Sequence, residues 1–214
     1  MTDAGLVLTN DFAAEPMSRL GPPLESLSPR AREVLDALED IYLTEGFAAL
    51  TLTDLTARLR CSRRTLYELA PDRQHLIMFV LDRRFRRLGH LAKQRLSELS
   101  DPRDKLHALL TTEIFTMRAS RAAFRRDVAG NPALRELVRG HNRIGVKMMA
   151  DVLEEGMHAG VFRAVEPGLV AEMIDAMVSR LYSPDVDDNE NLEHLDFTAR
   201  VLEMAALVEA GVRA

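Results

Sequence analysis

The chain has 214 residues, 47% of them hydrophobic, which is enough for one ordinary domain or two small ones around a sizeable core. Its single cysteine, Cys61, excludes an intrachain disulfide, and no apolar run approaches the roughly 18 residues of a bilayer span. The formal charge is −5 and the N-terminus lacks a basic start, so the sequence predicts a cytoplasmic protein with no membrane partner.

Residues 1–27 show no periodicity and contain Gly21-Pro22-Pro23, which predicts a disordered N-terminal arm. Arg19 stands there against Asp3, Asp11, Glu15 and Glu25, so the arm is not suited to a minor groove. Ser28-Pro29 is a cap followed by proline at the first helical position, and Gly46 closes the helix it opens. Thr51 with Asp54 forms a variant capping box for a second helix with Leu52, Leu55 and Leu59 on its apolar stripe. Ser62 caps a short third helix that buries Leu66 and Leu69. Asp72 caps a long fourth helix reaching about Leu99, and Asp101-Pro102 opens a fifth to about Ser120. A short helix covers Ala122–Ala129, and Asn131-Pro132 opens a seventh that Gly156 and Gly160 end. Glu166-Pro167 opens an eighth, and a ninth spans about Asn191–Ala210. No strand alternation survives anywhere, so the predicted fold is all-α with about nine helices. A helix-turn-helix head at 28–75 is followed by a helical body at 76–214.

Charge is distributed unevenly. From Arg58 to Arg95 eleven basic residues face three acidic ones, a local +8 that leaves −13 on the remainder. A basic segment in an acidic chain is the electrostatic footprint of a polyanion site, or else a solvated helical face. The second and third helices, joined through Arg60–Ser62, have the layout of a helix-turn-helix. Arg63 and Arg64 follow the Ser62 cap, where long donors reach the O6 and N7 of guanine. Thr65 and Tyr67 offer hydroxyls to phosphate, and Thr51, Ser62 and Arg73 mark helix starts that favour an anion. Cys61, inside the turn, reads as a small buried filler rather than a redox thiolate.

The run Gly46-Phe47-Ala48-Ala49-Leu50-Thr51-Leu52-Thr53-Asp54-Leu55, followed by Ser62-Arg63-Arg64-Thr65-Leu66-Tyr67, resembles the head of the tetracycline-repressor (TetR) family. The resemblance is close over about 50 residues and includes Arg73 and Leu76 beyond the recognition helix. The body resembles the family in helix count and in Gly160-Val161-Phe162-Arg163. There are departures: Arg60 stands where the family's turn has glycine, and Ala70 where an aromatic is usual. Glycine at such a turn supplies positive φ, so Arg60 either bears that strain or the turn differs.

In the ninth helix, Leu195, Ala199, Leu202 and Ala206 form one stripe, and Phe197, Val201, Met204 and Val208 another about 200° away. Two opposed stripes place the helix between its own core and a partner. With the eighth helix, a homodimer face is expected at Val170, Ile174, Val178, Phe197, Val201, Met204 and Val208. The family resemblance implies a small-molecule pocket in the body, with Phe115, Met117, Arg118, Phe124, His141, Met148, Met149, Met173 and Met177 as candidates. The residues hold no nucleophile motif, phosphate loop or metal-ligand spacing, so neither catalysis, metal nor cofactor is expected. The expected protein is a homodimeric transcriptional regulator, a repressor on a palindromic double-stranded DNA operator, released by an effector of unknown identity. The rival is a helical interaction protein whose degenerate head, with its departures at Arg60 and Ala70, does not bind DNA.

Overall fold

The computed structural model describes residues 20–111, 122–181, 183 and 196–214, with the backbone alone for Phe197. Among these residues a 3₁₀ turn at Leu24–Ser26 precedes nine α-helices. They are α1 (Pro29–Glu45), α2 (Leu52–Leu59), α3 (Arg63–Leu69), α4 (Arg73–Ser97), α5 (Pro102–Thr111), α6 (Ala122–Gly130), α7 (Pro132–His158), α8 (Pro167–Leu181) and α9 (Phe197–Val212). The fold is all-α, and the one β-type contact among the described residues is an isolated bridge between Phe162 and Arg213.

Local capping chemistry sets the helix starts. Ser28 Oγ accepts the Ala31 N–H, Ser62 Oγ the Thr65 N–H, and Asp72 Oδ1 the His75 N–H, at 3.1, 3.1 and 2.9 Å. Asn131 and Asp196 cap α7 and α9 in the same way. Thr51 and Asp54 exchange side-chain and backbone hydrogen bonds in a complete capping box. Gly46 ends α1 at φ 81°, a conformation for which glycine carries no Cβ penalty.

Two hydrophobic clusters fill the interior. The first gathers α1, α2 and α3 around the first half of α4, through Phe85, and also takes in Phe124 of α6 and Leu134 and Leu137 of α7. The second joins the end of α4 from Ala92 with α5, the rest of α7, α8 and α9. The core around the head therefore extends past residue 75 and includes two body helices. Residues 20–27, placed by sequence in a disordered arm, contain an ordered 3₁₀ turn, and Leu27 is buried against the head core. The remainder of that arm, 1–19, lies outside the described residues.

α7 does not stop at Gly156. It runs on to His158, and Gly156 is there because a Cβ would overlap the Phe162 ring folded back onto the helix. Phe162 is thereby buried in the body core, and Arg163 N–H donates to Val212 O at 2.9 Å, tying the segment to the end of α9.

Candidate nucleic-acid interface

The turn between α2 and α3 is built on Arg60. It takes the left-handed conformation, φ 47° and ψ 46°, and is the one non-glycine residue at positive φ among those described. The turn therefore keeps the geometry that glycine would give it, and Arg60 bears the strain. Two interactions hold it there. Cys61 N–H donates to Thr56 O at 3.2 Å, and Arg30 Nη2 on α1 donates to Leu59 O and Arg60 O at 2.7 and 3.3 Å. The carbonyls at the end of α2 thus find a cation from α1. Cys61 is partly buried against the head core, and burial pushes its thiol up against the opposing pull of Arg30. That is the environment of a packing cysteine rather than a reactive thiolate.

On α3, Leu66 and Leu69 turn inward while Arg63, Arg64 and Tyr67 are exposed. Arg63 Nη2 donates to Thr53 Oγ1 at 3.0 Å across the turn, whereas Arg64 has no partner among the described residues. Ser62 Oγ and Thr65 Oγ1 lie 3.0 Å apart and share one hydroxyl hydrogen, which leaves the other free to donate outward. Thr51 differs. Its hydroxyl donates to Asp54 Oδ2 at 2.6 Å, as does its backbone N–H at 2.9 Å, and these bonds hold the Asp54 carboxyl below the usual carboxylate range. Both donors are committed to the cap that starts α2.

Arg73 is likewise engaged within the fold. Its Nε donates to Leu50 O at 2.7 Å and its Nη2 to the carbonyls of Phe47 and Ala48, so it holds the loop before α2 instead of projecting toward a phosphate. The same internal use accounts for much of the basic segment. Arg83, Arg84 and Arg87 converge on Glu39 of α1, Arg86 pairs with Asp82, and Arg58 with Glu45. In the head this leaves Arg60, Arg63 and Arg64 as the exposed cations around the turn. Sequence reasoning missed the role of Glu68, whose carboxylate accepts both the N–H and the hydroxyl of Ser28, at 2.7 and 3.1 Å. α3 is thereby pinned to the start of α1 across 40 residues of sequence, a pairing with no local signal.

In the body several expected positions are inverted. Ile174, Val178, Met204 and Val208 are buried in the chain's own second cluster, Val170 packs against that cluster, and Val201 is also buried. Met173 and Met177, expected to line a pocket, are exposed instead, at 57% and 39%. Together with Leu169 they form an outward stripe on α8, and on α9, which packs against α8, Leu202 and Leu207 are exposed. On α9 Val201, Met204 and Val208 are buried and Leu202 is turned outward, while Leu195 lies outside the described residues. The side chain of Phe197 lies outside the described residues, as do Phe115, Met117 and Arg118. Phe124 is sealed in the head cluster, edge-on to Phe47 at 6.0 Å, and Met148 and Met149 are buried in the body cluster.

His141 lies against Phe85, ring centroids 5.1 Å apart, and its Nε2 donates to Asp82 Oδ1 at 3.0 Å. Burial alone would raise Asp82, but hydrogen bonds from His141 and Arg86 and their positive charge hold its carboxyl below the usual range. Asp82 is therefore the acceptor and His141 Nε2 the donor, while buried Nδ1 has no hydrogen-bond partner among the described residues. On α8, burial and then the neighbouring Glu172 raise the Asp175 carboxyl, while a hydrogen bond from Asn142 opposes them. Among the described residues no group of acidic, histidine or cysteine side chains is arranged to hold a metal ion, and no helix is long and apolar enough to cross a membrane.

No family model matches the chain. An HTH-type transcriptional regulator of Mycobacterium tuberculosis is 27% identical over 88 residues, 41% of this chain and 44% of that protein. The chain thus matches less than half the length of this curated relative. Solved structures match much further. A transcriptional regulator from Saccharomonospora viridis in complex with choline superposes with a TM-score of 0.72 at 16% identity, over 86% of this chain and 97% of that one. A TetR transcription regulator from Haloarcula marismortui gives 0.70 at 17% identity, over 86% and 98%. FadR from Bacillus subtilis in complex with stearoyl-CoA gives 0.64 at 14%, over 85% and 99%. The chain has the fold of the TetR-family transcription regulators, from the head through the last helix.

Proposed function

We propose that this protein is a TetR-type transcriptional regulator that binds double-stranded DNA as a homodimer and is released by a small-molecule effector. The observation that carries the reading is the outward face of α3. Arg63, Arg64 and Tyr67 are exposed at the start of a short helix whose inner face is anchored by Leu66 and Leu69. A helix held at a turn with its N-terminal arginines exposed is suited to a major groove, where arginine reads guanine and hydroxyls position phosphate.

The dimer face is the apolar stripe of Leu169, Met173 and Met177 on α8 with Leu202 and Leu207 on α9. Two copies joined there present two recognition helices, and a palindromic operator with half-sites about 34–36 Å apart matches that symmetry. The body is the effector side. Relatives of the same fold were captured with choline and with stearoyl-CoA, and here buried His141 Nδ1 is a polar handle for such a guest. The reading places the protein in the cytoplasm and assigns it no enzymatic step.

Selection of binding sites from random DNA by the purified protein, at stated salt, tests the proposal. Enrichment of a palindrome whose affinity falls steeply with salt is the expected result. No enrichment even at low salt sinks the DNA reading for the effector-free protein.

A further inference from the structure

Arg84 occupies a peculiar position. It lies on α4, where the head core ends at Phe85 and before the body core begins at Ala92, and its side chain is 5% exposed. Nη1 donates to Glu39 Oε1 at 2.8 Å, but Nε and Nη2 are buried without a hydrogen-bond partner among the described residues. These two atoms form the long edge of the guanidinium, where two N–H bonds run parallel at the spacing of two oxygens of a carboxylate or phosphate. Glu39 cannot turn to serve them. Its Oε1 also takes Arg87 Nη2, and its Oε2 faces Arg83 Nη1 at 3.5 Å. Asp36 takes the other end of Arg83 at 2.6 Å. Among the described residues three guanidiniums stand against two carboxylates; Arg87 and Asp36 reach solvent, so the donors left unserved are those of the buried Arg84 edge.

We infer that this edge is an oxyanion site, taking the carboxylate or phosphate group of a small molecule. A buried water offers one oxygen to two parallel N–H groups, whereas a carboxylate or phosphate offers an oxygen to each and a negative charge to the guanidinium. The site also has a mechanical consequence. The guanidinium that grips the guest is the one that holds Glu39, so negative charge arriving on one side of Arg84 weakens its hold on α1 of the head. The inference deepens the effector reading above and rests on it for that consequence alone.

The test begins without DNA. Thermal melts and calorimetry of the intact protein are run with inorganic phosphate, acetate, octanoate and octyl phosphate, against octanol and chloride at matched ionic strength. At about tenfold above its Kd, at least one oxyanion should raise Tm by about 2–5 °C, while octanol and chloride do not. Whether the carboxylates or the phosphates bind more tightly decides the source of the oxyanion. Arg84→Lys keeps the charge and the pairing with Glu39 but lacks the two-pronged edge, and should weaken binding by about tenfold or more. Glu39→Gln removes the competing carboxylate and should tighten binding by about tenfold, a direction that a purely structural role for the cluster does not produce. Indifference to all four oxyanions overturns the site. So does equal oxyanion binding by Arg84→Lys or, if that variant does not fold, unchanged binding by Glu39→Gln. Oxyanion binding with no change in operator affinity leaves the site standing and overturns only its coupling to the head.

Discussion

Asp127 Oδ2 accepts the backbone N–H of Phe47 at 2.5 Å, across 80 residues of sequence, and that of Ala48 at 2.7 Å. Three residues earlier on the same helix, the Phe124 ring meets Phe47 edge-on. Arg73 grips the carbonyls of the same loop from α4. The loop before α2 is thus held by a carboxylate and an aromatic ring from α6 and a cation from α4. Asp127→Ala removes the acceptor of two N–H groups and should lower stability by about 1–3 kcal/mol. Hydrogen exchange locates the effect: the Phe47 and Ala48 amides should lose protection while that of Ile174 does not. Unchanged protection at both would show that the contact contributes nothing.

Arg60→Gly relieves a left-handed residue and should raise the urea midpoint by the equivalent of about 1 kcal/mol at constant m-value. Arg60→Val, β-branched at the same φ, should destabilise. A less stable glycine variant would mean that the arginine side chain contributes more than the backbone strain costs.

The two exposed arginines of α3 separate from Arg73 by what changes. Arg64→Ala should keep the melting temperature and relax base preference at one position per half-site, by about 1–3 kcal/mol of discrimination. Arg63→Ala should do the same less completely, because its guanidinium is already shared with Thr53. Arg73→Ala should lower Tm and weaken all DNA sequences together, since it frees the loop before α2. Equal melting temperatures for all three variants would contradict the assignment of Arg73 to the loop.

Light scattering tests the α8–α9 face. Met173→Glu with Leu207→Glu should yield a folded monomer, because both side chains are exposed in the single chain. Met204→Glu, buried in the body core, should instead unfold the body. A dimer that survives the double exposed variant places the interface elsewhere.

Two carboxyls shape the acid limb in opposite directions. Asp82 is held low in the folded state, so its contribution is complete above the ordinary carboxylate pKa and is lost as pH falls through that value toward the lower folded one. Asp82→Asn should therefore destabilise near neutral pH, and the deficit should shrink in acid. Asp175 is raised, so its ionised form costs stability above its folded pKa and the cost disappears below the ordinary value. Asp175→Asn should raise Tm near neutral pH, with the gain fading toward about pH 4. Melts across this range decide both, and a gain for Asp175→Asn that persists in acid would exclude the ionisation account.

The helices and the turn were legible because their signals are local. Ser28-Pro29, the Thr51–Asp54 box, Ser62 and Asp72 each satisfy the orphan N–H groups of a helix start from within three residues, so the sequence alone determined where the head's helices begin. The family resemblance pointed to Arg60 as glycine's place in the turn and left two outcomes open; the structure shows that Arg60 takes the positive φ.

What only the tertiary structure decided was which face of each element meets what. The apolar positions of α9 fall into two stripes of similar composition, and periodicity cannot say which is covered; packing against α5 and α8 buries Met204 and Val208 and leaves Leu202 and Leu207 outside. Cations were equally ambiguous, since an arginine looks the same in sequence whether it meets DNA or a carboxylate 45 positions away, as Arg84 meets Glu39. Hydrophobic period and capping act within a few residues of the chain, whereas charge pairing and burial depend on distances in space that only the assembled helices set.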